Sequence, residues 1–156
     1  MNVLHPPFVH FVIALPLAAL FSQLTYVATK DKTYSKAAIR IMAFALLVSF
    51  FAVFTGLIDA DEITKNHAIL KNGLLILNDH KTFGFVIVII LFITTLAKWF
   101  AISKNSMSLE KLSILLIILT IAASLYQGNH GGSLVYKYSA GIDNKIIQKR
   151  TIQKNQ

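Results

Sequence analysis

The chain has 156 residues, of which 55% are hydrophobic and 14% are charged, and it contains no cysteine. This composition is more apolar than that of a soluble domain, and it excludes disulfides, thiolate metal sites, c-type haem attachment and iron–sulfur ligation. The formal net charge of +8 is typical of basic loops at the cytoplasmic face of a membrane, so we expect no nucleic-acid partner.

Apolar residues are grouped in four blocks of roughly membrane-spanning length. These blocks cover residues 8–28, 41–58, 83–102 and 112–127. A hydrocarbon core of ~30 Å requires about 20 residues of α-helix. The blocks therefore predict an all-α integral membrane four-helix bundle, one domain over residues 1–142, followed by a polar basic tail over 143–156. The first block has neither a basic flank nor a small-residue cleavage site, so we expect it to be retained.

Local features refine three of these helices. Pro6 and Pro7 suit the first turn of helix 1, and Pro16 predicts a kink in its middle. Gly56, near the end of the second block, permits close helix packing. Lys98, near the end of the third block, is expected to extend its side chain to the membrane surface.

The connector between the second and third blocks, residues 59–82, is too polar to span a membrane. It opens with acidic residues, and Leu70, Leu74 and Leu77 then recur at helical spacing. This pattern predicts an interfacial amphipathic helix between spans 2 and 3.

Basic residues predict the orientation. Seven lie close to the span ends on the side of the 1–2 and 3–4 loops, at positions 30, 32, 36, 40, 98, 104 and 111. The opposite side has eight, but four of them lie well beyond the last span, and those nearest the spans count most. We therefore predict a protein of a bacterial inner (cytoplasmic) membrane with both termini and the long connector extracytoplasmic.

This topology places all five histidines at the extracytoplasmic face. His5 and His10 enter helix 1, His67 and His80 flank the connector helix, and His130 leaves helix 4. His10 lies within an apolar block, where polar side chains are costly and are usually functional. Each histidine could instead be solvated or hydrogen-bonded within the bundle.

A histidine cluster in an apolar bundle is typical of b-type haem sites, which use one or two imidazoles on facing helices. His10 and His80 form our first axial pair, because helices 1 and 3 lie diagonally in an up-down bundle; the remaining histidines are second-rank ligands. One or two haems could be bound.

The predicted pocket walls are Phe8, Phe11, Phe83, Gly131 and Gly132, although the phenylalanines could be ordinary packing or lipid-facing residues. The glycines either let backbone approach a flat cofactor or end helix 4.

Two other interpretations stay open. His10, His80 and His130 could bind copper or zinc in a non-redox binding or transport protein. The sequence has no tight local ligand pair of the kind expected in a hydrolytic zinc site, such as two histidines four apart with a glutamate between them. His5 and His10 would point about 140° apart on one helix and would not chelate one ion together. The chain could also be a structural anchor subunit of a larger complex.

Three segments resemble one family. Residues 4–15 resemble the opening "HPxxVHFPIAL" of the bacterial and archaeal membrane proteins grouped as domain of unknown function 2231. Thr55-Gly56, with His80 to Gly84 after the connector, is similar to the family's "TG … HExxG", and residues 131–136 resemble its closing "GGxLVY". Val12 stands in place of a proline, Lys81 in place of an acid, and residues 138–141 in place of "HGVG".

This resemblance implies a four-span membrane protein, sometimes joined to Rieske-type or c-type cytochrome domains in other members. It therefore implies an electron carrier or redox-complex subunit rather than a stand-alone enzyme. The partners expected on this basis are the lipid bilayer, a quinol or membrane redox subunit, and an extracytoplasmic c-type cytochrome or Rieske-type protein.

Overall fold

The protein is described by a computed structural model that covers residues 4–142, so the predicted tail over 143–156 lies outside the described residues. Within these residues, four α-helices follow one another: α1 (His5–Thr29), α2 (Lys32–Lys65), α3 (Gly73–Ser103) and α4 (Met107–Tyr138). All four are long and apolar enough to cross a membrane. The prediction of an all-α four-span bundle is therefore confirmed.

The helices are longer than the apolar blocks, mainly at the end where α1 begins. There α2 continues past residue 58 to Lys65, α3 begins at Gly73, and α4 continues to Tyr138. The separate interfacial helix is not confirmed within residues 4–142. Leu74 and Leu77 belong to the first turns of α3, because their helical period continues directly into that of the third span.

The glycines of α4 do not end it, contrary to one of the two interpretations of this stretch. Gly128, Gly131 and Gly132 all lie inside the helix. The helix ends instead at Ser139, whose left-handed backbone (φ 56°) allows its N–H to bond the last carbonyls. Glycine within a helix costs conformational entropy, so these three residues need another explanation, which the site below provides for Gly131.

Each helix packs against two neighbours, so that α1 and α3, and likewise α2 and α4, face each other diagonally. The core between them contains small and aliphatic side chains, among them Ala19, Met42 and Leu91, which are fully buried. Large apolar side chains such as Phe21 and Phe54 point outward. This inversion of the soluble pattern is expected when lipid, rather than water, surrounds the bundle.

The connector from residue 66 to 72 closes one end of the bundle by pairing with the end of α4. Leu70 N–H donates to the Tyr138 carbonyl at 3.0 Å, and Gly141 N–H donates to the Ala68 carbonyl at 3.0 Å. A small apolar cluster, which includes Ile63, Leu77 and Leu134, lies beside this contact.

At the opposite end, Asp31 begins α2. Its carboxylate accepts the Thr33 N–H at 2.8 Å, and this hydrogen bond holds the pKa of Asp31 below its usual value. A carboxyl group whose pKa is lowered by folding stabilises the fold above its unfolded pKa. This contribution is lost as the pH falls through the folded pKa.

Also at this opposite end, Lys98 is fully buried and does not extend to the surface, contrary to the sequence-based prediction. Its ammonium group donates to the Glu110 carboxylate and, at 2.6 Å, to Ser35 Oγ. The Glu110 carboxylate also accepts hydrogen bonds from Ser35 Oγ at 2.7 Å and from Gln23 Nε2 at 2.7 Å. The four side chains come from the four helices, so a single polar network joins the whole bundle.

Candidate functional site

A cavity of about 640 Å³ occupies the end of the bundle where α1 begins and α4 ends. Its volume is within the usual range of cofactor pockets. All four helices contribute to its lining, and three of the five histidines do so: His5, His10 and His80. Apart from these histidines, its lining includes one acid, Asp59, and one other basic side chain, Lys81.

His5 is held by two contacts with α2. Its Nδ1 lies 2.7 Å from the Ala52 carbonyl oxygen, which can only accept, so Nδ1 bears the proton of this hydrogen bond and Nε2 is the ring nitrogen that the bond does not engage. The backbone N–H groups of Leu4 and His5 donate to Asp59 Oδ2 at 3.0 and 2.9 Å. Asp59 therefore anchors the start of α1, and with it the histidine.

His80 meets His5 across the diagonal of the bundle. The centres of the two imidazoles are 6.0 Å apart, and their planes are nearly perpendicular at 89°. Metal–imidazole bonds of ~2 Å on opposite sides of one ion would place two ring centres about 6 Å apart. The distance between the His5 and His80 ring centres is therefore similar to that separation.

Each of these two rings packs against a glycine. A Cβ added at Gly56 of α2 would lie 2.8 Å from His5 Nδ1, and one added at Gly131 of α4 would lie 3.1 Å from His80 Cε1. For Gly132, by contrast, no atom of the described residues lies within 4 Å of an added Cβ. Gly56 and Gly131 therefore make room for the imidazoles, whereas Gly132 borders the open cavity.

We expect Gly56→Ala to displace His5, because the new methyl group overlaps the imidazole. Loss of the bond from Nδ1 to Ala52 should cost about 1–2 kcal/mol, more than the gain of up to about 1 kcal/mol in helix propensity. Gly132→Ala is the matched control and should be neutral or stabilising. The measurement is the thermal unfolding midpoint in detergent by circular dichroism; a stabilised Gly56→Ala variant would contradict the packing described.

The other predicted ligands have different surroundings. His10 is exposed; its ring borders the cavity, and its Nδ1 bonds the Pro6 carbonyl at 2.7 Å. His130 packs on Tyr126, with ring centres 4.5 Å apart, and is not part of the cavity lining. His67 is exposed in the connector. The structure thus brings His5, rather than His10, against His80, while an axial role for His10 stays a prediction.

The predicted aromatic walls lie elsewhere. Phe8 stacks on Phe51 at 5.9 Å, Phe83 packs on Tyr126 at 5.3 Å, and Phe11 is half exposed. None of the three phenylalanines borders the cavity. Their outward or lateral packing agrees with the ordinary role that the sequence left open for them.

Three residues of the site were not predicted as such: Gly56, Asp59 and Gln127. Asp59 is the acid that directly follows an apolar block, and it is buried rather than solvated. Gln127 is an amide near the end of another block, and its Nε2 donates to the His80 carbonyl at 2.7 Å. For Asp59 and Gln127 the sequence did contain a signal, since both are polar residues within or at the edge of an apolar span.

The side chains that could coordinate a metal ion are few. Within residues 4–142, no group of three or more His, Asp or Glu side chains is arranged to hold a metal ion. At this end of the bundle the described residues place two imidazoles beside a large cavity, with His10, Asp59 and Lys81 also in its lining.

Comparison with known proteins identifies the family to which the chain belongs. A family model described as "Predicted membrane protein (DUF2231)" matches residues 2–144. No curated protein and no solved structure matches the chain.

Proposed function

This chain belongs to the DUF2231 family of predicted membrane proteins, and on that premise we propose that it is a membrane electron-transfer protein that binds b-type haem between His5 and His80. The observation that supports this proposal most directly is the meeting of these two imidazoles, 6.0 Å apart, at a cavity of about 640 Å³.

The number of protein ligands favours haem over a bare metal ion. Structural and catalytic zinc sites use three or four protein ligands, and residues 4–142 do not provide such a group. Haem brings four nitrogens of its own, so one or two histidines complete the coordination of its iron. When bound, the haem would supply reversible one-electron transfer.

The protein's own contribution is to orient the ligands and to exclude water. The Ala52 carbonyl fixes the tautomer of His5, as second-shell partners of metal-bound histidines usually do. Gly56 and Gly131 leave room for the two rings. The lining is predominantly apolar, with Val9, Ile13 and Leu57 among its residues. Such a sleeve suits a porphyrin better than a hydrated ion.

We place this cavity at the extracytoplasmic side of a bacterial inner membrane. The opposite end exposes basic residues at the short loops, among them Lys30, Lys36 and Lys104, which is the pattern of a cytoplasmic face. The proposed partners follow from this location: a quinol or membrane redox subunit within the bilayer, and a c-type cytochrome or Rieske-type protein outside it.

The optical spectrum of the purified, detergent-solubilised protein tests the proposal. We expect a Soret band and, on reduction, split α and β bands. A colourless sample that retains copper or zinc by elemental analysis would contradict haem binding and favour a metal-binding or transport protein. A colourless, metal-free sample that co-purifies with other subunits would instead favour an anchor role.

A further inference from the structure

A second, smaller chamber lies directly beneath the histidine pair. Its volume is about 50 Å³, and it extends from His5 and His80 towards the core of the bundle, where Ser49, Ser124 and Ile87 line it. Gln127 borders both this chamber and the larger cavity. The chamber adjoins the space proposed for the cofactor and shares part of its lining, including His5, His80 and Gln127.

Within residues 4–142, three buried polar atoms of the chamber's lining residues have no hydrogen-bond partner: His80 Nδ1, Ser124 Oγ and Gln127 Oε1. The orientation of the Gln127 amide is determined, because its Nε2 donates to the His80 carbonyl at 2.7 Å and a carbonyl can only accept. The unpaired atom is therefore the acceptor Oε1. Ser124 is itself 3% exposed. Leaving three such atoms unpaired is costly, and folded proteins rarely do so.

We infer that the chamber is a water-binding site, in which an ordered water molecule hydrogen-bonds His80 Nδ1, Ser124 Oγ and Gln127 Oε1. The space is sufficient, since one buried water needs roughly 10–15 Å³ of probe volume, and three polar partners is the usual number. In this arrangement the water accepts the protons of His80 Nδ1 and of the Ser124 hydroxyl and donates to Gln127 Oε1.

This water acts on His80 as the Ala52 carbonyl acts on His5: in each case an oxygen accepts the proton of Nδ1 and so fixes the tautomer of the ring. With its proton directed at the water, Nδ1 is occupied and Nε2 is left free to face the cavity. The presence of the water does not depend on a cofactor, whereas its role in positioning an axial ligand rests on the proposed function. Ser124 and Gln127 are then positioning residues, because they act on the cofactor only through His80.

The test uses the full chain labelled with ¹⁵N-histidine, in lipid bilayers and without added cofactor. Solid-state NMR with magnetisation transfer from water should show a contact at a protonated Nδ1 of His80, whose resonance is assigned by its loss in His80→Asn. Gln127→Leu and Ser124→Val should abolish that contact. Thr120→Val is the matched control, because Thr120 is a buried hydroxyl of the same helix that already bonds the Leu116 and Thr94 oxygens; it should leave the contact unchanged.

Absence of a water contact at His80 Nδ1 in the wild-type protein would overturn the inference. So would an equal loss of the contact in Thr120→Val, since the effect would then not be local to the chamber. Because the sample contains no cofactor, the two proposals fail separately. A colourless protein with the water contact contradicts haem binding alone, and a haem protein with a dry chamber contradicts the water site alone.

Discussion

Replacing His80 by alanine is expected to abolish the Soret band of the purified protein, and His5→Ala should do the same or leave a weakened, high-spin spectrum. Both imidazoles meet at the cavity, so each substitution removes one of the two proposed axial ligands. His10→Ala should retain the spectrum, because the His10 ring is exposed and already bonded to the Pro6 carbonyl. The measurement is haem absorbance per protein in parallel purifications.

His67→Ala is the control for histidine removal as such, since His67 is exposed in the connector. The comparison of His5 with His10 is the decisive one. If His10→Ala lost the haem while His5→Ala kept it, the axial pair predicted from the sequence, His10 with His80, would be correct, and the pairing of His5 with His80 would be wrong. Circular dichroism of each variant separates loss of haem from loss of fold.

Breaking the buried ion pair at the other end of the bundle should cause the largest loss of stability. Lys98→Met leaves the Glu110 carboxylate buried without its cation, and the free energy of unfolding should fall by about 3–5 kcal/mol. Glu110→Met should have a similar effect on the stranded ammonium group. The double variant should recover much of the loss, because a buried pair replaced by apolar side chains of similar volume is often tolerated.

The matched control is Lys65→Met. Lys65 forms an ion pair with Asp61 at 2.6 Å, but both side chains are more than half exposed. Its loss should change the free energy of unfolding by about 0.5 kcal/mol or less. Circular dichroism during unfolding in mixed micelles measures all four variants. Additive losses in the Lys98 and Glu110 double variant would show that the two residues are not energetically coupled.

The buried network also explains how the bundle is held in register. Helices in lipid gain little from hydrophobic burial against one another, so directional contacts have a larger share in specifying their arrangement. Gln23, Ser35, Lys98 and Glu110 provide one such contact from each helix. At the other end, Asp59 bonds the start of α1 and Gln127 bonds the His80 carbonyl. Polar contacts thus join the helices at both ends.

Much of the fold could be predicted from the sequence, because the bilayer restricts the options. Apolar blocks of roughly the right length must be helices that satisfy their own backbone, and four of them were found where four blocks occur. The family was also recognisable, since its motifs are short, local patterns around His5, Gly56, His80 and Gly131, and the match over residues 2–144 confirms it. Helix ends were less predictable, because polar residues beyond the bilayer continue α2, α3 and α4 without a change of period.

The partner of each polar side chain could not be predicted in the same way. Lys98 and Glu110 are only twelve residues apart and flank a turn, a position where charged residues are usually solvated. Their burial depends on Gln23 and Ser35, which distant segments bring to the same point. Sequence spacing along one helix gives no information about the side chains of the helix opposite.

The sequence by itself determined four membrane-spanning helices, the family, and a concentration of histidines towards one end of the bundle. Only the tertiary structure decided that His5 rather than His10 meets His80. On α1 these two histidines point in different directions, and which direction is the interior depends on how α1 rotates against α2. Asp59, the Ala52 carbonyl and the missing side chain of Gly56 set that rotation, and all three belong to a helix that begins more than twenty residues after His10.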